Sequence, residues 1–168
     1  RVVDPTFLSK IPVEPVASVK KPYILFYYCD GLPVEEKNKI FEYAQKNGLA
    51  VYGAGECDKH YTSTTVNLTP FQWVWMFKNA SYVVTGTFHG AVFSMLNHRQ
   101  FACYLTNPSR IKKVTSLLEE FKLDSRCCDA NADNIIAKLK EKIDYKRTEE
   151  EFEMRRNSSK VFLKDNIN

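Results

Sequence analysis

The sequence is notable first for what it lacks. No Cys-x-x-Cys pair occurs among its five cysteines, at positions 29, 57, 103, 127 and 128. A zinc ribbon and a disulfide framework are therefore not expected, and a reducing compartment is. No His/Asp/Glu cluster has metal-ligand spacing, so no metal is expected. No apolar run approaches the length of a membrane span, and no signal peptide opens the chain. The net charge is only +4 over 168 residues. Its basic residues are interleaved with acids, as in Lys138-Leu-Lys-Glu-Lys142, rather than gathered into a stripe, which argues against a nucleic-acid partner. Repeats and low-complexity tracts are also missing. Asn67, Asn79 and Asn157 each open a glycosylation sequon, but in a cytoplasmic protein these are chance matches.

What is present is the composition of an ordinary globular domain, 44% hydrophobic and 26% charged. The chain begins Arg1-Val-Val-Asp-Pro without an initiator methionine and continues through a stretch punctuated by proline up to Pro22. Residues 1–22 read as an extended linker, and the chain as a fragment of a longer protein. Residues 23–168 read as one α/β domain.

Within that domain strands and helices alternate. Apolar strands are expected at Tyr23–Tyr28, Leu49–Tyr52, Tyr82–Thr85 and Gln100–Leu105. Helices are expected at Val34–Lys46, Pro70–Lys78, 88–96 and from Asn107 onward, with Ile111, Val114, Leu117, Leu118 and Phe121 on one face. Thr69-Pro-Phe-Gln72 is a capping box with proline at the first helical position. Two further helices are expected near Ala132–Ile143 and Thr148–Leu163, the second opened by another capping box, Thr148-x-x-Glu151. Strands that are almost continuously apolar, each followed by a helix, predict a Rossmann-like parallel sheet covered on both faces.

Ligands of such sheets bind beyond the carboxyl ends of the strands. Here those ends carry Cys29-Asp-Gly31, Gly53-Ala-Gly55, Gly86-Thr-Phe-His-Gly90 and Thr106-Asn-Pro-Ser-Arg110. The third is the most informative. Strand 82–85 breaks at Gly86, and Thr87 caps a helix whose first turn holds Phe88, His89, Gly90 and Ala91. Unpaired first-turn amides favour an anion. His89 adds a titratable proton carrier, and Gly90 clears space for an approach to the backbone. Arg110 offers a fork suited to carboxylate or phosphate, with the hydroxyls of Thr87 and Ser109 beside it. The competing interpretation is a purely local one, with His89 as a hydrogen-bonder and Arg110 solvated.

Several segments, taken in order, resemble the polysaccharide pyruvyl transferase family. They are Asp4-Pro-Thr-Phe-Leu8, the strand Tyr23–Tyr28, Thr69-Pro-Phe71, Ala80-Ser-Tyr-Val-Val-Thr85, Phe88-His-Gly-Ala-Val-Phe-Ser94 and Ser109-Arg-Ile111. The resemblance spans Asp4 to about Arg126 and is most specific at the Thr-x-x-Phe-His-Gly block. It implies the C-terminal, donor-binding lobe of a two-lobed, GT-B-like transferase, with residues 1–22 near the interlobe connection. It also implies transfer of a carboxyvinyl unit from phosphoenolpyruvate to a sugar, giving a pyruvate ketal in a surface polysaccharide. Phosphoenolpyruvate would be the donor substrate, with no separate cofactor. A glycan or lipid-linked sugar would be held mainly by an N-terminal lobe. The setting would be the cytoplasm or the inner face of the membrane.

His89 would be the general acid, with Thr87, Phe88, Gly90, Ala91, Ser109 and Arg110 around the donor. Two positions depart from the family pattern. Thr87 replaces a common serine, and Gly86 stands where an acidic or polar residue is frequent, leaving His89 without a partner from that position. The alternatives are the nucleotide-sugar lobe of a GT-B glycosyltransferase and a non-catalytic α/β domain.

Overall fold

The computed structural model describes residues 2–54, 57–64 and 67–166. Six strands form one parallel sheet: β1 (Tyr23–Tyr27), β2 (Ala50–Ala54), β3 (Ser63–Thr64), β4 (Tyr82–Thr85), β5 (Gln100–Tyr104) and β6 (Cys127–Cys128), in the spatial order β3-β2-β1-β4-β5-β6. The helices are α1 (Val34–Lys46), α2 (Pro70–Asn79), α3 (Phe88–Leu96), α4 (Pro108–Glu120), α5 (Ala132–Lys140) and α6 (Tyr145–Asn166). Four strands and the first four helices fall where the apolar pattern and caps put them. The two extra strands, β3 and β6, are edge pairs of two residues each, too short to show any periodicity. Gly55 lies outside the described residues.

Alternation along each strand divides the core into two layers. Tyr23, Leu25, Tyr27, Val83, Phe101 and Cys103 face α2, α3, α4 and Phe152 of α6. Ile24, Phe26, Val84, Ala102 and Tyr104 face α1 and α5, through Ile40, Phe41, Ala44, Ile135 and Leu139. Both faces of the sheet are therefore covered, which is why β1 at its centre is apolar and buried at every position.

One expectation needs correction. α6 starts at Tyr145 rather than Thr148, because Asp144 Oδ1 accepts the Lys146 amide and so caps the helix earlier. Thr148 is buried inside the helix rather than at its tip. Along α2, Val74, Met76 and Phe77 are buried and Phe71 is exposed. Residues 8–22 contain no helix or strand, yet the N-terminal segment is anchored to the domain. Phe7 is buried against the rings of Phe121 and Phe152, at 5.2 and 5.3 Å between centroids. Further on, the Glu14 amide bonds to Phe71 O and the Lys20 amide to the Tyr52 hydroxyl.

None of the five cysteines is in a disulfide, and Cys29 and Cys103 are buried. Among the described residues no three His, Cys, Asp or Glu side chains are grouped to hold a metal ion. No described helix is long and apolar enough to cross a membrane.

Candidate active site at the carboxyl edge of the sheet

The chain runs from β1 outward to β2 and β3, then returns to place β4 on the other side of β1. Strand order therefore reverses between β1 and β4. In parallel sheets the connections on the two sides of such a reversal diverge, opening a crevice at the carboxyl ends. Tyr27 is in register with Thr85, so the turn Cys29-Asp30-Gly31 after β1 and the turn Gly86-Thr87 after β4 flank this point.

The turn after β4 is built by hydroxyl chemistry. Thr85 is fully buried; its Oγ1 donates to Tyr27 O at 2.9 Å and accepts the Thr87 amide at 3.2 Å. Thr87 caps α3, its Oγ1 accepting the Gly90 amide at 3.1 Å, and the Ala91 amide bonds to Thr87 O at 3.1 Å. The expectation of unpaired amides through the first turn therefore fails at Gly90 and Ala91. The cap and the helix ladder use two of the first four amides, leaving those of Phe88 and His89 as the first-turn donors. Gly90 also serves a different purpose from the one expected. A Cβ there would lie 2.1 Å from Thr85 Oγ1, so what closes on the glycine backbone is Thr85.

Phe88 packs against the core layer of α2–α4, beneath Lys113, whose Nζ lies 4.2 Å from the ring centroid. His89 is different. Its side chain is 52% exposed, with the ring edge-on to Phe88, and its Nε2 stands 3.8 Å from Asp4 Oδ2. An acidic neighbour, absent at Gly86, thus comes from a residue 85 positions before His89. Burial raises the Asp4 carboxyl, but hydrogen bonds from Thr6 and the charges of His89 and Lys113 outweigh it and hold the group below the ordinary carboxylate range. A cavity of about 50 Å³ between Asp4, Phe88, Lys113 and Glu120 lies beside this pair.

Arg110 lies in the first turn of α4, after β5, the neighbour of β4. Its Nη1 donates to Asp30 Oδ1 at 2.7 Å. Next to Asp30, Gly31 has φ +80°, and a Cβ there would meet Thr106 Oγ1 at 2.4 Å. Ser109 Oγ donates to Asn107 Oδ1 at 2.7 Å and so completes the helix cap. Among the described residues no hydrogen bond or ion pair joins Arg110 to His89. The expected single pocket is thus two clusters on one edge, Asp4–His89 and Asp30–Arg110. Larger hollows, of about 550 Å³ along α1 and about 470 Å³ between residues 9–13 and the α2–α3 pair, are lined by neither His89 nor Arg110.

Sequence reasoning quoted Asp4 and Asp30 within motifs but assigned neither a role. Their charge signal was available; the contacts that give them meaning are tertiary. Tyr28 was read only as the end of a strand. It lies in the left-handed region at φ +48° and exposes its ring beside Trp73.

The profile of the family described as polysaccharide pyruvyl transferase matches residues 1–108. None of the curated proteins matches the sequence significantly. Among solved structures, the chain is similar to the glycotransferase of kitacinnamycin, at TM-score 0.56 and 10% identity, over 88% of this chain and 44% of that one. It is also similar to the UDP-GlcNAc 2-epimerase of Methanocaldococcus jannaschii, solved with UDP-GlcNAc and UDP, at TM-score 0.54 and 12% identity, over 88% and 46%. The chain spans less than half the length of either. At these identities the likeness shows the fold alone, the Rossmann-like α/β arrangement of GT-B-like proteins.

Proposed function

The chain belongs to the polysaccharide pyruvyl transferase family, and we propose that it forms the donor-binding lobe of a transferase that moves a carboxyvinyl unit from phosphoenolpyruvate to a sugar diol. The observation that carries this reading is the exposed imidazole of His89, set in the first turn of α3 beside the reversal of strand order. In the reaction the methylene carbon of phosphoenolpyruvate gains a proton, and two sugar hydroxyls bond to its C2 with loss of their protons. Phosphate leaves with one proton, and the product is a cyclic pyruvate ketal. His89 delivers the proton to the methylene carbon, a contribution typically worth about 10²–10⁴ in rate.

The anionic ends of the donor are held by the fork of Arg110 and the Phe88 and His89 amides. Asp30 engages one arm of Arg110, leaving Nε and Nη2 for a phosphate or carboxylate. Thr87, Ser109, Gly90 and Ala91 shape the turns rather than donate to the ligand. The sugar is held mainly by a second lobe facing this edge, which accords with a site lying open on a carboxyl edge. The enzyme works in the cytoplasm, on a glycan or lipid-linked acceptor at the inner membrane face.

Ligand-dependent melting of the chain tests the donor. Phosphoenolpyruvate is expected to raise Tm more than inorganic phosphate or UDP-GlcNAc does. Stabilisation by UDP-GlcNAc alone would support a nucleotide-sugar lobe instead, and no stabilisation by any of them a packing role. In the two-lobed enzyme, His89→Gln lowers kcat by about 10²–10⁴ with little change in donor affinity. Arg110→Ala weakens donor binding by about 1.5–3 kcal/mol. Equal losses of affinity with turnover preserved would remove the general-acid role.

A further inference from the structure

We propose that Asp4 is a positioning residue that fixes the tautomer of His89, keeping the neutral ring protonated on Nε2 and leaving Nδ1 as the nitrogen that exchanges a proton with substrate. The role assigned to Nδ1 rests on the pyruvyl-transfer reading; the tautomer itself does not.

The argument starts from the two oxygens of Asp4, which have separate tasks. Oδ1 accepts the Thr6 amide at 3.0 Å and caps the turn Pro5–Phe7, whereas Oδ2 faces His89 Nε2 at 3.8 Å. A carboxylate oxygen attracts an N–H and repels a lone pair, so the ring nitrogen facing it carries the proton. The mounting of Asp4 is firm for a residue so near the end of the described chain. Phe7 is buried among Phe121 and Phe152, Val3 N donates to Ser159 Oγ at 3.1 Å, and Arg156 Nε donates to Phe7 O at 2.7 Å. The charged groups around the carboxylate are His89 on α3, together with Lys113 and Glu120 of α4. Lys113 helps to keep it ionised.

With the proton fixed on Nε2, the imidazolium gives its Nδ1 proton to the methylene carbon as the π pair of the donor forms the new C–H bond. The ring returns to its Nε2–H form and recovers a proton from an incoming sugar hydroxyl. Asp4 keeps its charge throughout and touches no reacting atom.

Because Oδ1 and Oδ2 are distinguishable, the test has a definite sign. In Asp4→Asn the amide oxygen continues to accept from Thr6, which turns the NH₂ group toward Nε2. A donor now faces that nitrogen, and the preferred tautomer reverses to Nδ1–H. Long-range proton–nitrogen spectra of the ¹⁵N-labelled chain, taken at a pH where the ring is neutral, report the tautomer directly. We expect Nε2–H in the wild type and Nδ1–H in Asp4→Asn. The same tautomer ratio in both would overturn the proposal. Should Asp4→Asn fail to fold, Asp4→Ser decides. It keeps a cap for Thr6 but removes the atom facing the ring, so the Nε2–H to Nδ1–H ratio falls several-fold; an unchanged ratio again overturns the idea.

Kinetics of the two-lobed enzyme give a second readout. A wrong tautomer costs about 10⁴ in a Ser-His-Asp triad, and loss of an orienting partner about 10–100-fold elsewhere. Asp4→Asn is expected to lower kcat at least about 10-fold while leaving KM for phosphoenolpyruvate within about 3-fold. If the tautomer reverses but phosphoenolpyruvate does not bind the wild type, the Asp4–His89 pair stands and the donor assignment fails.

Discussion

Replacing Gly90 with alanine isolates the contact that sets the turn between β4 and α3. On helix propensity alone the change would stabilise the protein, since alanine exceeds glycine by about 1 kcal/mol in a helix interior. The structure predicts the opposite sign. The new Cβ would stand 2.1 Å from Thr85 Oγ1, 2.7 Å from its Cβ and 2.9 Å from its Cγ2. Thr85 cannot yield cheaply. It is fully buried, its β-branched side chain has few rotamers, and rotating it breaks the 2.9 Å bond to Tyr27 O. Overpacking costs about 1–3 kcal/mol and the lost hydrogen bond about 1 kcal/mol, against the propensity gain of about 1 kcal/mol. The net destabilisation is about 1–3 kcal/mol, which for a domain of this size lowers Tm by about 2–12 °C. Differential scanning calorimetry of Gly90→Ala measures it. Thr85→Ala removes the two outer clashing atoms, so Gly90→Ala should cost at least about 0.5–1 kcal/mol less in that background. An unchanged or raised Tm in the single variant, or an identical cost in both backgrounds, would refute the steric account.

Two other outcomes can be checked on the chain itself. Brief alkylation under native conditions is expected to label Cys57, which is exposed, and to spare Cys103, whose thiol is pushed up by complete burial, as well as Cys128, pushed up to about 12 chiefly by burial; mass spectrometry of the digest reads this, and rapid native labelling of Cys103 would contradict the core assignment. Acid melting should expose Asp4. Its folded carboxyl lies below the ordinary 3.8, so its contribution is present above that value and lost as pH falls through the lower, folded one. Asp4→Asn should therefore melt below the wild type at neutral pH and converge with it in strong acid; a gap that stays constant on acidification would contradict the assignment.

The sequence was most legible where local chemistry is self-contained. α1, β4 and α3 have the ends expected of them, and Thr69 and Gln72 cap α2 reciprocally. In each case the apolar period and the boundary residues point the same way. Legibility failed where a local pattern had a competitor or was too short. Thr148-x-x-Glu151 has the form of a capping box, but Asp144, just ahead of the helix, serves as the cap, and Thr148 is buried. β3 and β6 owe their existence to pairing with β2 and β5 rather than to their own two residues.

The candidate site divides along the same line. That His89 would stand at a strand–turn–helix junction followed from residues 82–96 alone, because Thr87 and the apolar run specify the turn. The partners did not follow, because each comes from a distant segment: Asp4 from the N-terminal segment anchored by Phe7, and Asp30 from the turn after β1, 80 positions from Arg110. Gly90 shows how the same residue supports two accounts. A glycine in a first turn signals that something comes close, and the sequence cannot say whether that is a ligand or a neighbouring side chain. Here Thr85 occupies the space, and the Gly90 amide is used by Thr87. Under the proposed function, anion binding therefore falls to Arg110 and the two remaining amides. On the proposed reading, an anionic donor takes the Nε and Nη2 arms of Arg110 while Asp30 holds Nη1, and Asp4 faces the imidazole. The two acids on this edge are thus not equivalent: Asp30 pairs with the arginine fork and Asp4 with the imidazole, so the proposed reading gives the first a part in anion affinity and the second a part in how a proton is presented.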